Sequence, residues 1–377
     1  MKKISARWRN LYTKAGFSSF MASLLAILCG LVVGFVVLLV ADPANAFWGL
    51  LAILTGGLSD MKNLGQVLYA ATPIILTGLS VGFANKTGLF NIGAAGQYTL
   101  GAFGALYCAI VLQWPWYLCL LAAMLFGAIW GALPGIFKAY LNINEVITAI
   151  MFNWIGLYMV NDIMYGKGKS PMYDLASTKT YSLRKAAPQA MIPSLGMSEL
   201  FGKLQSVTIA IFIAIFFAIV VYIILNKTAF GYELRACGFN KNAARYAGIN
   251  EKRNIILAMM ISGALAGVGA GLYYLSTVAE WNPQVSTALP AMGFNGISTA
   301  LLACSNPIGT IFSSLFISYI TVGGTKLSTQ YYTKEIADVI TALIIYLCAF
   351  SLLFKNKIRA LLVGKAKRVS VGKGGDD

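Results

Sequence analysis

Four neutral amides, Asn91, Gln97, Asn153 and Asn295, interrupt stretches that are otherwise apolar. Each offers hydrogen-bond donors and an acceptor with no charge to desolvate. With Thr72, Thr77, Ser262 and Ser298 they can line a path for a polar, uncharged solute. They can equally hydrogen-bond helix to helix, at about 0.6 kcal/mol each. Ionising chemistry is missing around them. There is no histidine, which removes the commonest metal ligand and proton shuttle. Glu145, Asp162, Glu280, Glu335 and Asp338 fall at or near the ends of apolar stretches, and no charged residue lies in the middle of one. A proton-coupled carrier keeps an ionisable group near the membrane midplane. An enzyme needs a nucleophile paired with a base, or a metal cluster. Neither can be assembled here, so no catalytic residue, bound cofactor or metal site is expected.

The elements that must position these amides are membrane helices. The 377 residues are 58% hydrophobic and only 11% charged, where a soluble domain carries about a quarter charged residues. Crossing a hydrocarbon core of about 30 Å takes about twenty apolar residues. Ten segments qualify: 19–41, 67–84, 91–112, 116–137, 146–164, 207–226, 254–277, 288–303, 307–322 and 336–354. The expected fold is an all-α bundle of about ten transmembrane helices. The eighth and ninth segments are short, and a re-entrant pair is the alternative. Segment 19–41 follows a basic start but is long for a signal peptide, and Asp42-Pro43 is a poor cleavage site, so it reads as a retained helix.

Basic residues orient the bundle. Residues 1–18 and 355–377 form basic tails, and 227–253 is a basic loop. All three are expected in the cytoplasm, the tails flanking a transmembrane domain over 19–354 and the loop lying within it. Loop 165–206 is then outside, although Lys167, Lys169, Lys179, Arg184, Lys185 and Lys203 run against the rule. The formal net charge of +16 follows from topology and attraction to anionic lipid; no nucleic-acid partner is needed. The six cysteines form no CxxC pair, and most lie in apolar segments as small hydrophobes.

Within the cytoplasmic loop, Asn240 is a good N-cap and Gly248 a good C-terminal stop. Residues 241–247 between them, KNAARYA, can make two helical turns about 10 Å long. The helix is too short and polar to span a membrane. Its small face (Ala243, Ala244, Ala247) surrounds Arg245 and Tyr246, with Arg235 upstream. It suits docking into a groove on another protein. A basic helix lying on anionic lipid is the alternative, but that would carry bulky Leu, Phe or Trp on its inner face.

Gly263, Gly267 and Gly271 make two successive GxxxG steps, and Gly127 and Gly131 another, as expected for helices packed closely in lipid. GLFNIG (88–93) and GFNGIS (293–298) begin the third and eighth segments on opposite sides of the membrane. An inverted repeat of spans 2–5 against 7–10 would produce this. Interrupted helices at matching positions point to a transport path, with freed backbone groups contacting a solute at no cost in charge.

Four blocks occurring in order carry a family resemblance: GLFNIGAAGQYTLGAF, NEVITAIMFNWIGLYMVN, TAFGYELRACGFNKNAARYAGINEKRN and GFNGISTALLACSNPIG. Over roughly residues 70–353 the chain resembles permease subunits of ATP-binding-cassette importers. The branch is the one serving branched-chain amino acids, ribose-type sugars and nucleosides. It is most similar to the nucleoside, guanosine-type permeases that work with a surface lipoprotein. The resemblance implies an ATP-binding-cassette ATPase below the membrane, a second permease subunit completing the pore as a heterodimer, and an extracellular substrate-binding lipoprotein. Loop 165–206 and the segment after Val278 are its implied docking surfaces. Arg235, Asn240, Ala243, Ala244, Arg245, Tyr246 and Gly248 would couple to the ATPase. Asn91, Gln97, Asn153 and Asn295 would pair with a nucleoside's hydroxyls and ring nitrogens, and Phe90 and Phe294 would stack on its base. The expected location is the bacterial plasma membrane, multi-pass, with both termini cytoplasmic. ATP is bound by the partner, since no GxxxxGK[ST] loop occurs here. One departure stands out: the family block reads N-I-G-x-E-G-Q, and Ala95 replaces the glutamate. A permease for a ribose-type sugar or branched-chain amino acid is the alternative within the family; an ion-coupled carrier or channel lies outside it.

Overall fold

The computed structural model describes residues 15–276, 279–283, 288–351 and 353. The basic tails therefore lie outside the described residues for most of their length. Among the described residues the regular structure is helical apart from one hairpin of two-residue strands. In order the helices are α1 (Ala15–Ala41), α2 (Ala46–Gly56), α3 (Met61–Lys86), α4 (Ala94–Ile110), α5 (Trp116–Leu141) and α6 (Glu145–Tyr165). After loop 165–206 come α7 (Ala210–Lys227), α8 (Ala229–Phe239), α9 (Lys241–Tyr246), α10 (Glu251–Tyr274), α11 (Ala291–Leu302), α12 (Pro307–Gln330) and α13 (Lys334–Cys348).

Side-chain caps set many of the boundaries. Asp60, Asn144, Thr228, Asn240, Asn250 and Asn306 each accept a hydrogen bond from a first-turn N–H of the helix that follows. These residues are the preferred N-caps because a side-chain oxygen satisfies an otherwise orphaned donor.

Among the described residues seven helices are long and apolar enough to cross a membrane: the greater part of α1, then α3, α5, α6, α7, α10 and α12. Helices α4, α11 and α13 coincide with the other three expected segments but have 17, 12 and 15 residues. The ninth segment is not short, since α12 runs for 24 residues. Shortness is confined to its neighbour α11, about 18 Å long. Helix α2, with 11 residues, has no counterpart among the expected segments.

At the centre lie α4, buried almost throughout, and the greater part of α3 and α10. Helix α10 packs along α5 through the glycines of both stripes. A Cβ added at Gly127 would stand 2.4 Å from the Gly263 carbonyl oxygen, and one at Gly131 2.5 Å from that of Met259. Backbone thus lies on backbone, the contact GxxxG spacing permits. A second apolar cluster joins α1, α2, α12 and α13 through Leu38, Ile53, Ile320, Leu327, Ile340 and Ile344.

Candidate functional site

The turn between α3 and α4 delivers Asn91 into the centre of the bundle, where it is fully buried. Its Nδ2 donates to Gln97 Oε1 at 2.7 Å, Ser262 Oγ at 2.7 Å and Ser80 Oγ at 3.1 Å. Its Oδ1 accepts from Gln97 Nε2 and from the Gly93 N–H, both at 3.1 Å. The Ser262 hydroxyl donates to the Ser80 carbonyl at 2.7 Å. One hub therefore ties α3, α4 and α10 together. Asn153 on α6 clamps the same turn: its Oδ1 accepts the Gly96 N–H at 2.7 Å and its Nδ2 donates to the Ile92 carbonyl at 3.0 Å. It satisfies a first-turn donor of α4 that the helix cannot satisfy itself. Asn91, Gln97 and Asn153 are thus brought together, buried and hydrogen-bonded within the protein. Phe90, beside them, is half-buried.

The second interrupted segment meets the first. Gly293 and Gly296 of α11 lie against Ala95 and Thr77, and Thr77 Oγ1 donates to the Met292 carbonyl at 2.9 Å. Phe294, on another side of α11, is 40% exposed. Asn295 is half-buried, and its side chain makes no hydrogen bond among the described residues.

On the expected cytoplasmic side, α8 folds back beneath α7 and continues into α9. Asn240 joins them: its N–H bonds the Ala236 carbonyl at 3.0 Å, and its Oδ1 accepts from Asn242 N at 3.0 Å and Ala243 N at 3.1 Å. The far end of α9 closes with Gly248 at φ +79°, Gly248 N–H on the Arg245 carbonyl and Ile249 N–H on the Ala244 carbonyl. This paired closure is the Schellman motif, so both expected ends hold. Ala244 faces inward, while Ala243 and Arg245 are exposed. Tyr246 is 94% exposed and Phe239, just before Asn240, 95%. Arg235 is half-buried on α8, its Nε donating to the Gly231 carbonyl at 3.4 Å. Sequence reasoning missed Phe239; an aromatic next to a helix cap in a polar loop was the available signal. It also missed Ser80, which nothing local distinguishes from the rest of α3.

On the opposite side, loop 165–206 folds as a unit. Its hairpin pairs Tyr173 with Thr180, and the Thr180 N–H bonds the Trp281 carbonyl at 2.8 Å. Trp281 returns its own N–H to Thr180 Oγ1 at 3.0 Å and its indole N–H to Asn161 Oδ1 at 2.7 Å. Lys179 and Glu280 stand 3.7 Å apart. Lys167, Lys169, Arg184, Lys185 and Lys203 are exposed on this surface. Burial pushes the Tyr173 hydroxyl above its ordinary pKa, with Tyr165 and Asp174 adding to it. Among the described residues no group of histidine, cysteine and carboxylate side chains could hold a metal ion.

Comparison with known proteins gives a consistent result. The family described as "Branched-chain amino acid transport system / permease component" matches residues 63–349. The nucleoside ABC transporter permease protein NupB of Lactococcus lactis subsp. cremoris is 32% identical over 93% of this chain and 96% of its own. The guanosine ABC transporter permease protein NupP of Bacillus subtilis is 32% identical over 93% of this chain and 97% of its own. The glucose ABC transporter permease protein TsgB13 of Haloferax volcanii is 28% identical over 88% and 87%. No solved structure matches.

Proposed function

The chain belongs to the family of branched-chain amino acid transport system permease components, and from that premise we propose that it builds one half of a membrane path for nucleosides. It is a transport subunit, and ATP hydrolysis belongs to a separate ATPase. The observation that carries the reading is α9: a six-residue helix, capped at both ends, outside the bundle, with Phe239 just before it and Tyr246 as its last residue at 95% and 94% exposure. Two large aromatics left in water beside a rigid helix form a hot-spot pair for a protein groove. Arg235 on α8 and Asn240, Ala243, Ala244, Arg245, Tyr246 and Gly248 around α9 form the ATPase-facing unit in this proposal.

The solute path is proposed at the exposed face of α11, where Phe294 and Asn295 would meet a second permease subunit. Asn91, Gln97, Asn153 and Phe90 act behind that face, holding the start of α4. Ten membrane segments in an inverted repeat fit this arrangement: α3 packs on α11 and α12, and α10 on α4 and α5, the pairings that exchange of spans 2–5 with 7–10 requires. Both termini then lie in the cytoplasm of a bacterial cell, and the basic loop 165–206 offers the docking surface for an extracellular binding lipoprotein.

The nucleoside assignment follows NupB and NupP. A sugar is the second reading, favoured by TsgB13 and by the neutral amides, which suit hydroxyls equally. Uptake of labelled guanosine in cells carrying the whole transporter tests both. Unlabelled guanosine should compete, and ribose, glucose and leucine should not. Uptake should fail on ATP depletion and survive an ionophore. Competition by a sugar alone would reassign the solute; survival without ATP would end the reading.

A further inference from the structure

Gly88 and Gly238 touch backbone to backbone below the bundle. A Cβ built on Gly88 would lie 2.4 Å from the Gly238 Cα, and one on Gly238 would lie 2.4 Å from the Thr87 carbonyl carbon. Those distances are far inside van der Waals contact, and the atoms met are main chain, which no rotamer change can move aside. Gly88 also sits at φ +76°, a region L side chains rarely adopt.

Hydrogen bonds tie both sides of the contact. Gly88 closes α3 in a Schellman motif, its N–H on the Asn85 carbonyl and the Leu89 N–H on the Ala84 carbonyl. Gly238 stands two residues before Asn240, whose bonds to Ala236, Asn242 and Ala243 lock α8 to α9. A displacement of α9 is therefore carried to Gly238 and not absorbed between the helices. Beyond Gly88 the chain reaches Asn91 within three residues, and from Asn91 the hydrogen-bonded hub leads to Ser80, Ser262 and Gln97. Beside the contact lies a cavity of about 410 Å³ lined by Gly88, Lys138, Glu145, Gly238, Lys241 and Glu251. Its open space adjoins both α8 and α9.

We propose that the Gly88–Gly238 contact is the point at which movement of α9 is passed to the start of α4, so that both glycines are positioning residues for transport. The proposal rests on the reading of α9 as the ATPase-facing helix. Bare backbone suits the task, because two main chains in contact transmit a push over ångströms that a pair of flexible side chains would soften.

The test uses the whole transporter, with its ATPase and second permease, reconstituted in vesicles with binding protein and guanosine. Gly238→Ala should lower transport about tenfold while solute-stimulated ATP hydrolysis stays within about twofold of the parent, a coupling loss of ordinary size. Unchanged transport overturns the proposal. Parallel loss of hydrolysis and transport, with the subunit assembled, assigns Gly238 to docking and overturns it as well. Hydrogen exchange of the unaltered complex needs no variant and decides the case if Gly238→Ala fails to assemble. On ATP binding, protection of residues 87–95 should change together with that of 236–248; a change in the second segment alone overturns the proposal. Uptake by the parent that ignores ATP depletion would instead remove the underlying reading, whatever Gly238→Ala does.

Discussion

Ala95, in the first turn of α4, lies directly against Gly293, in the first turn of α11: a Cβ on Gly293 would stand 2.5 Å from the Ala95 Cα and 2.7 Å from its backbone nitrogen. The two interrupted segments, 198 positions apart by number, thus meet at their helix starts. Overpacking of this kind costs about 1–3 kcal/mol, so Gly293→Ala should lower the thermal stability of the purified subunit by that order. The nearest atom is main chain, but the Ala95 methyl group stands at 2.7 Å as well, so adding Ala95→Gly should restore only part of the loss. Full rescue by the double variant would show that the Ala95 methyl group alone, and not the main chain beside it, sets the cost.

Asn91→Leu should destabilise the bundle by about 1–3 kcal/mol, because it strands the buried polar groups of Gln97, Ser80 and Ser262. A residue that only lined the path would behave differently: the KM for the solute would rise while thermal stability held. Measuring both on one preparation separates a holding role from a contacting one. The same pair of measurements on Asn295→Leu should give the opposite pattern, since no hydrogen bond among the described residues is lost with its side chain.

The Trp281 clasp should outweigh its neighbouring ion pair. Trp281→Phe removes the indole bond to Asn161 (2.7 Å), worth about 1 kcal/mol net. It should speed tryptic cleavage within loop 165–206. Glu280→Gln breaks the 3.7 Å contact with Lys179, whose side chains are 44% and 30% exposed. Exposed pairs contribute about 0–1 kcal/mol, so its cleavage rate should match the parent's. Faster cleavage in Glu280→Gln than in Trp281→Phe would reverse this ranking.

Asp42, just beyond α1, accepts hydrogen bonds from Asn45 Nδ2 at 2.7 Å and Ala44 N–H at 3.1 Å. The Asn45 bond is the main cause holding its pKa below the ordinary aspartate value. A lowered carboxylate pKa contributes stability above the unfolded-state value and loses it as pH falls through the folded-state value. Asp42→Asn should therefore flatten the acid limb of the stability curve and leave its slope near neutral pH unchanged. A change of slope near neutrality instead would place the titrating group elsewhere.

Tyr98 is buried on α4, and its hydroxyl has no hydrogen-bond partner among the described residues. Removing a buried polar group that is unpaired recovers its desolvation cost, about 1 kcal/mol or more. Tyr98→Phe should leave stability unchanged or raise it. A clear loss in a thermal assay would reveal a partner for the hydroxyl.

Much of this protein was legible from local chemistry. Hydropathy marked the membrane class because apolar runs of membrane length have no other solvent to suit them. The ends of α9 were legible because Asn240 and Gly248 act on the backbone within a few residues of themselves. The glycine stripes announced close packing, and Gly127 and Gly263 make it. Which residues gather was a different matter. Asn91 meets Ser262 across 171 positions, and Ser80 meets Ser262 across 182. Only the crossing of α3, α4 and α10 decides that neutral amides which could have faced a solute instead face one another. Such pairing depends on how helices rotate and dock in a medium as apolar as their own surfaces, and no run of neighbouring residues encodes that angle. Likewise Gly88 and Gly238 are each unremarkable in sequence; the fold alone sets their backbones in contact.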